Sequence, residues 1–152
     1  MDSLQDRFAP QGRCFGCGPA NAKGLRIKSF EQPDGHVVVD FSPEPHHEAF
    51  ENVLNGGIIG TVLDCHMNWT TIAHLIKTQG LDHAPPCVTA EFKVVLKRPT
   101  PMGPIHVDAH VVTATEDRAT IEATMTAGGK VTAIGTGTFI AVKPGHPAYH
   151  RW

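Results

Sequence analysis

The residues that could do chemistry concentrate in one short stretch, Asn55-Gly56-Gly57 followed seven residues later by Asp64. Asparagine is a strong helix N-cap, and two glycines after it leave the first-turn N–H groups bare and approachable. Glycine weakens a helix by about 0.8–1.0 kcal/mol relative to alanine, so a pair of them here asks for a reason. One reason is close approach of a ligand oxygen to free N–H groups at the positive end of the helix dipole; the other is tight packing of the helix start against a strand. Asp64 favours the first. Gly57, Thr61, Asp64, Asn68 and Thr71 recur at helical spacing as a small or polar stripe. A carboxylate on such a stripe is costly unless it opens onto a cleft or another chain. The plainer alternative is an aspartate capped by hydroxyls such as that of Thr61. Partly shielded by Ile58, Trp69 and a facing chain, the Asp64 carboxylate would be a stronger base than a free one, because desolvation raises its pKa.

Gly56 and Asp64 lie eight residues apart, about 12 Å along a helix axis and about 80° around it. An electrophile-polarising donor and a base must both sit near one reacting centre, so these two cannot serve the same substrate within one chain. If both act, they act across a two-fold interface, which predicts a dimer with two equivalent composite sites.

The other reactive residues carry less. Cys14 and Cys17 form a single CxxC, while Cys65 and Cys87 stand apart in apolar surroundings. A zinc site needs about four ligands, and no second pair exists, so reduced, packed thiols and no metal are expected. His46 and His47 arrive together on a proline-bracketed loop ahead of the helix, but the ten histidines form no HExxH or similar pattern. No G-x-S-x-G elbow, P-loop or dinucleotide fingerprint stands in a fitting context.

The elements that position these groups can be read from periodicity. LRIKSF (25–30), a Pro-Asp-Gly turn and HVVVDF (36–41) read as a hairpin. From about Val53 to Thr78 the period becomes helical, with Ile58, Val62, Cys65, Trp69, Ile72 and Ile76 as the apolar stripe and Gly80 as the stop. About two dozen residues make a helix some 35 Å long, the length of a whole small domain. Four strands follow, over 87–99, 105–116, 118–127 and 130–142; the first is half-buried by its alternation, and the last two are separated by Gly128 and Gly129. One helix with six strands implies an α+β fold in which a curved antiparallel sheet wraps the central helix. Residues 1–13 read as an N-terminal arm, 14–143 as one domain, and 144–152 as a surface or mobile tail without periodicity.

Composition agrees with one small domain: 152 residues, net charge −2, 41% hydrophobic and 18% charged. That balance gives no electrostatic reason to expect nucleic acid or an anionic membrane as partner. No apolar run approaches the roughly 18 residues of a membrane span, and the start lacks the basic and apolar regions of a secretory signal, so a cytoplasmic protein is expected.

The runs CFGCGPANAKGLRI, NVLNGGIIGTVLDCHMNWTT and VTAEFKVVLKRPTPMG resemble the hotdog-fold acyl-CoA thioesterases, in particular the PaaI-like branch, over residues 14 to 142. The resemblance implies an acyl-CoA substrate with small aromatic or short-to-medium acyl groups, no cofactor, and a homodimer or a tetramer built from dimers. It implies that the Gly56 N–H polarises the thioester carbonyl and that Asp64 of the partner subunit acts as base or nucleophile. Thr89, at the start of the third strand, would help to place the water or the carboxylate. Asn55 stands where the family has histidine; it can cap and hydrogen-bond but cannot carry a proton. Gly57, His47, Asn68 and Trp69 would line the substrate, and Lys97 and Arg98, with Lys93, could meet the phosphates of coenzyme A. Two other activities fit the same fold: a hydratase or dehydratase of acyl thioesters, against which Asn55 argues, and a non-catalytic acyl-thioester binding protein, which it favours.

Overall fold

A computed structural model describes residues 1–152. Helix α1 (Leu4–Phe8) is followed by strands β1 (Ser29–Glu31), β2 (Val37–Phe41), β3 (Glu48–Phe50) and β4 (Val53–Leu54). Then come the long helix α2 (Gly56–Gln79) and strands β5 (Cys87–Leu96), β6 (Ile105–Ala114), β7 (Arg118–Ala127) and β8 (Lys130–Ala141). Both ends of α2 are set by local chemistry. Asn55, extended at φ −60° and ψ 132°, accepts the Gly57 and Ile58 N–H groups on its side chain, and Gly80 closes the helix in the left-handed region at φ 62°.

Six strands form one antiparallel sheet in the order β1-β2-β6-β7-β8-β5. The sheet packs against α2 through small residues. Ala109, Ala119, Ala123 and Ala133 are buried, and a Cβ at Gly135 would already lie 3.2 Å from Met67 and 3.5 Å from Leu63. Gly128 and Gly129, at φ 57° and 77°, make the tight β7–β8 turn, which needs two positive φ angles in succession. One contiguous core of 29 apolar residues runs from Leu4 of α1 through α2 to the sheet, so the arm packs onto the same core. This is the expected hotdog architecture. No helix is long and apolar enough to cross a membrane.

Several local readings change. The 25–30 strand shrinks to Ser29–Glu31 because Arg26, at φ 52°, turns the chain out of extended geometry. The loop over 42–52 is more ordered than expected, with a 3₁₀ turn at Pro45–His47 and a small β3–β4 ladder. On β5 the expected half-burial fails within one chain, leaving Phe92 and Leu96 42% and 56% exposed. β5 is an edge strand paired only with β8, and its register slips between Thr89 and Glu91, shifting the side-chain alternation. The tail is not a loose surface segment: Arg151 Nη1 donates to the Cys87 carbonyl at 2.6 Å, and Trp152 Nε1 to that of Pro85 at 3.1 Å. The Trp152 ring sits 5.1 Å from that of Trp69.

Candidate functional site

At the start of α2 the first-turn amides are almost all spoken for. Asn55 Oδ1 accepts Gly57 N–H at 2.8 Å and Ile58 N–H at 3.1 Å, and the Asn55 carbonyl accepts that of Ile59. Only the Gly56 N–H is left without an acceptor, on an exposed residue at the positive end of a 24-residue helix. It borders a cavity of about 440 Å³ shared with Phe50, Ile59, Leu96, Lys97 and Arg98. Lys97 and Arg98 are held at its rim by backbone N–H bonds to the Thr132 carbonyl, and neither side chain enters an ion pair.

Two turns further along α2, Asp64 is half-buried and accepts a 2.6 Å hydrogen bond on Oδ1 from Thr89 Oγ1 of β5. Its other oxygen has no protein partner. Burial pushes the carboxyl pKa above its ordinary value, while the Thr89 bond and the positive charge of Arg151 pull the other way. The capping alternative involving Thr61 is absent, since that hydroxyl bonds back to the Gly57 carbonyl at 2.9 Å. Arg151, in a tail without periodicity, could not have been placed near Asp64 from sequence.

The remaining candidates are dispersed. Asn68 and Trp69 sit in the core, 5% and 1% exposed. Asn68 Nδ2 reaches the Cys87 carbonyl, and its Oδ1 is unpartnered. Thr71 is buried too, bonded back to the Met67 carbonyl, so the lower half of the polar stripe faces packed protein rather than a cleft. The His47 carbonyl accepts the Asn55 N–H, but its ring turns away, accepts the Glu44 N–H at 3.0 Å, and lines a separate cavity with Phe41 and His46. No side chain therefore takes the place of a histidine at position 55 within this chain.

No family model matches the sequence, and no curated protein matches it. Solved structures do match. A thioesterase superfamily protein from Shewanella loihica is 22% identical, with a TM-score of 0.66, over 82% of this chain and 98% of its own. The PaaI protein of the E. coli phenylacetic acid degradation operon is 16% identical, with a TM-score of 0.65, over 82% of this chain and 85% of its own. The BH2602 protein of Bacillus halodurans, whose structure was solved with CoA, is 26% identical, with a TM-score of 0.63, over 78% of this chain and 76% of its own. Together with the sheet wrapped on α2, these likenesses identify the chain as having the hotdog fold of the thioesterase superfamily, the fold of the PaaI protein.

Proposed function

We propose that the protein is an acyl-CoA thioesterase whose two active sites are each shared between two copies of the chain. The observation that carries this reading is the half-buried Asp64 carboxylate, fixed through one oxygen by Thr89 and left with the other free for a water. The second part is the unpaired Gly56 N–H, about 12 Å away along the same helix. In this reading the Gly56 of one protomer faces the Asp64 of its partner, because the two groups of one helix are too far apart to serve the same thioester. The edge of β5 supports such pairing. It is ten residues long, open on one side, and exposes Phe92, Val95 and Leu96 where an unpartnered edge would invite aggregation.

In the proposed reaction, Gly56 N–H donates to the thioester carbonyl oxygen and stabilises the negative charge that develops there. Asp64 takes a proton from water as the water oxygen attacks the carbonyl carbon. Collapse of the tetrahedral intermediate breaks the carbon–sulfur bond, and the departing thiolate recovers the proton from Asp64, releasing a carboxylic acid and CoA. Lys97 and Arg98, at the rim of the cavity that Gly56 borders, suit the phosphates of CoA, and the apolar walls suit a small aromatic or short-to-medium acyl group. Asn55 serves as cap rather than proton carrier, with its acceptor oxygen committed to two amides. The test is release of free thiol from a panel of acyl-CoAs. Asp64→Asn, which keeps the Thr89 bond possible but removes the base, should lower turnover by about 10²- to 10⁴-fold. Hydrolysis at wild-type rates by this variant, or binding of acyl-CoA without turnover by the wild type, would rule the reading out.

A further inference from the structure

Cys14 and Cys17 lie on the loop after α1, and Cys65 lies on α2, yet the three sulfurs fall within 4.8 Å of one another, with Cys14 and Cys65 Sγ 3.6 Å apart. Four thiolates around a zinc ion, at about 2.3 Å each, stand about 3.8 Å from one another, so this spacing suits a shared cation. The thiols have no other hydrogen-bonding side chain of their own. Two further clusters of potential ligands, His36-Asp108-His110 and Glu44-His46-His47, differ in kind: they contain partly or fully exposed groups already joined as His-carboxylate pairs.

We propose that Cys14, Cys17 and Cys65 form a binding site for a thiophilic metal cation of the zinc(II) class. Three thiolates are the soft donor set such ions select. The loop is shaped to deliver them. A Cβ at Gly16 would collide with Cys65 Sγ and lie 2.8 Å from Thr61 Cγ2, and one at Gly18 would lie 2.5 Å from the Cys14 nitrogen and the Gly12 carbonyl oxygen. Only glycines let the CxxC turn press its sulfurs onto α2. The turn is clamped from within by Gly18 N–H to the Cys14 carbonyl at 2.8 Å. Leu25 and Ile27 N–H, bonded to the carbonyls of Phe15 and Gly16, clamp it from the other side. The Trp69 indole Nε1–H, buried beside Cys17, has no hydrogen-bond partner, a donor that a metal-bound thiolate sulfur would satisfy. Cys17 and Cys65 are buried, while Cys14 is only partly so, leaving a side from which the ion enters and a water completes four-coordination. The cation replaces whichever thiol protons remain, which pass to solvent, and nothing is oxidised. The proposal does not rest on the thioesterase reading: its ligands include none of Gly56, Asp64 or Thr89, although Cys65 adjoins Asp64 on α2.

The test uses the full-length protein, reduced, stripped with a chelator and offered Zn²⁺. Expected are one zinc per chain surviving dialysis, sulfur neighbours in zinc X-ray absorption, a sulfur-to-metal charge-transfer band on replacement by Co²⁺, and a zinc-dependent rise in melting temperature. Cys14→Ser, on the loop, and Cys65→Ser, on the helix, should each abolish that retention. Gly16→Ala, which keeps all three sulfurs but displaces them, should weaken it by about 10- to 100-fold. Should Cys65→Ser fail to fold, the Cys14 and Gly16 variants decide alone. The proposal fails if the reduced protein retains no zinc, if Cys14→Ser retains it at wild-type strength, if only nitrogen and oxygen surround the metal, or if the cluster closes to a disulfide and refuses metal after reduction.

Discussion

Replacing Gly56 with proline deletes one atom's worth of chemistry, the free N–H. Proline is well tolerated at the first helical position, and the residue before it must be extended, which Asn55 already is at φ −60° and ψ 132°. A Cβ at Gly56 would meet only Leu96 Cδ1, at an ordinary 3.6 Å, and no existing hydrogen bond is lost. Fold and stability should therefore survive while turnover falls by about 10²- to 10³-fold, equivalent to about 2.7–4 kcal/mol, the usual effect of removing one oxyanion donor. The decisive assay mixes Gly56→Pro with Asp64→Asn, each nearly inactive alone. If each site takes its donor from one protomer and its carboxylate from the other, a heterodimer holds one intact site and one doubly defective site. Random exchange makes half of all dimers heterodimers, so activity should recover to about a quarter of wild type. Thiol-release rates on a common acyl-CoA, after unfolding and refolding the two variants together, provide the readout. Heterodimers confirmed by differential tags but no more active than the parents would refute the shared site, and wild-type turnover by Gly56→Pro alone would refute the donor.

His66 is buried, with Nε2 donating to the Val37 carbonyl at 2.9 Å and Nδ1 accepting from Ser29 Oγ at 2.9 Å; Ser29 Oγ in turn accepts from Gln5. Burial lowers its pKa from 6.5 to about 4, so the unfolded chain binds the extra proton first and stability falls as pH drops between those values, while above 6.5 none is lost. The accumulated loss is about 2 kcal/mol at pH 5 and about 3 kcal/mol at pH 4, to be read as the difference between wild type and His66→Phe in urea titrations with a chelator present; an identical pH dependence in both would contradict it. Phe92→Glu combined with Leu96→Glu should convert a dimer to monomers in sedimentation equilibrium and abolish thioester hydrolysis together with it. Trp152→Ala, which uncovers Trp69 and frees the Pro85 carbonyl, should lower stability by about 2 kcal/mol in denaturant titration.

Helix α2 was legible in the sequence almost to the residue, because its cap at Asn55, its stop at Gly80 and its apolar period act within a few residues of one another. The four long strands were legible for the same reason, with the double glycine between β7 and β8 marking a turn whose dihedral angles only local chemistry sets. So was the eight-residue spacing from Gly56 to Asp64, although Asn55 caps the neighbouring amides and leaves only that of Gly56 free; Thr89 follows from the family resemblance, and its hydroxyl donates to Asp64. Strand β1 was over-read, because one left-handed residue, Arg26, breaks a run whose composition is strand-like throughout. The resemblance implies that Trp69 and Asn68 line the substrate, and within one chain the sheet and the tail bury that part of the helix.

What periodicity could not supply are contacts between segments far apart in sequence. Cys14 and Cys65, 51 positions apart, meet only because Gly16 has no side chain to keep the loop off the helix. Arg151 reaches the neighbourhood of Asp64 where it and Trp152 bond the carbonyls of Cys87 and Pro85. Local energies choose elements one turn at a time, and the sequence by itself therefore determined the helix, the strands and the reactive groups they carry. Which of those groups face each other depends on closing long loops against chain entropy, and only the packed tertiary structure decided that.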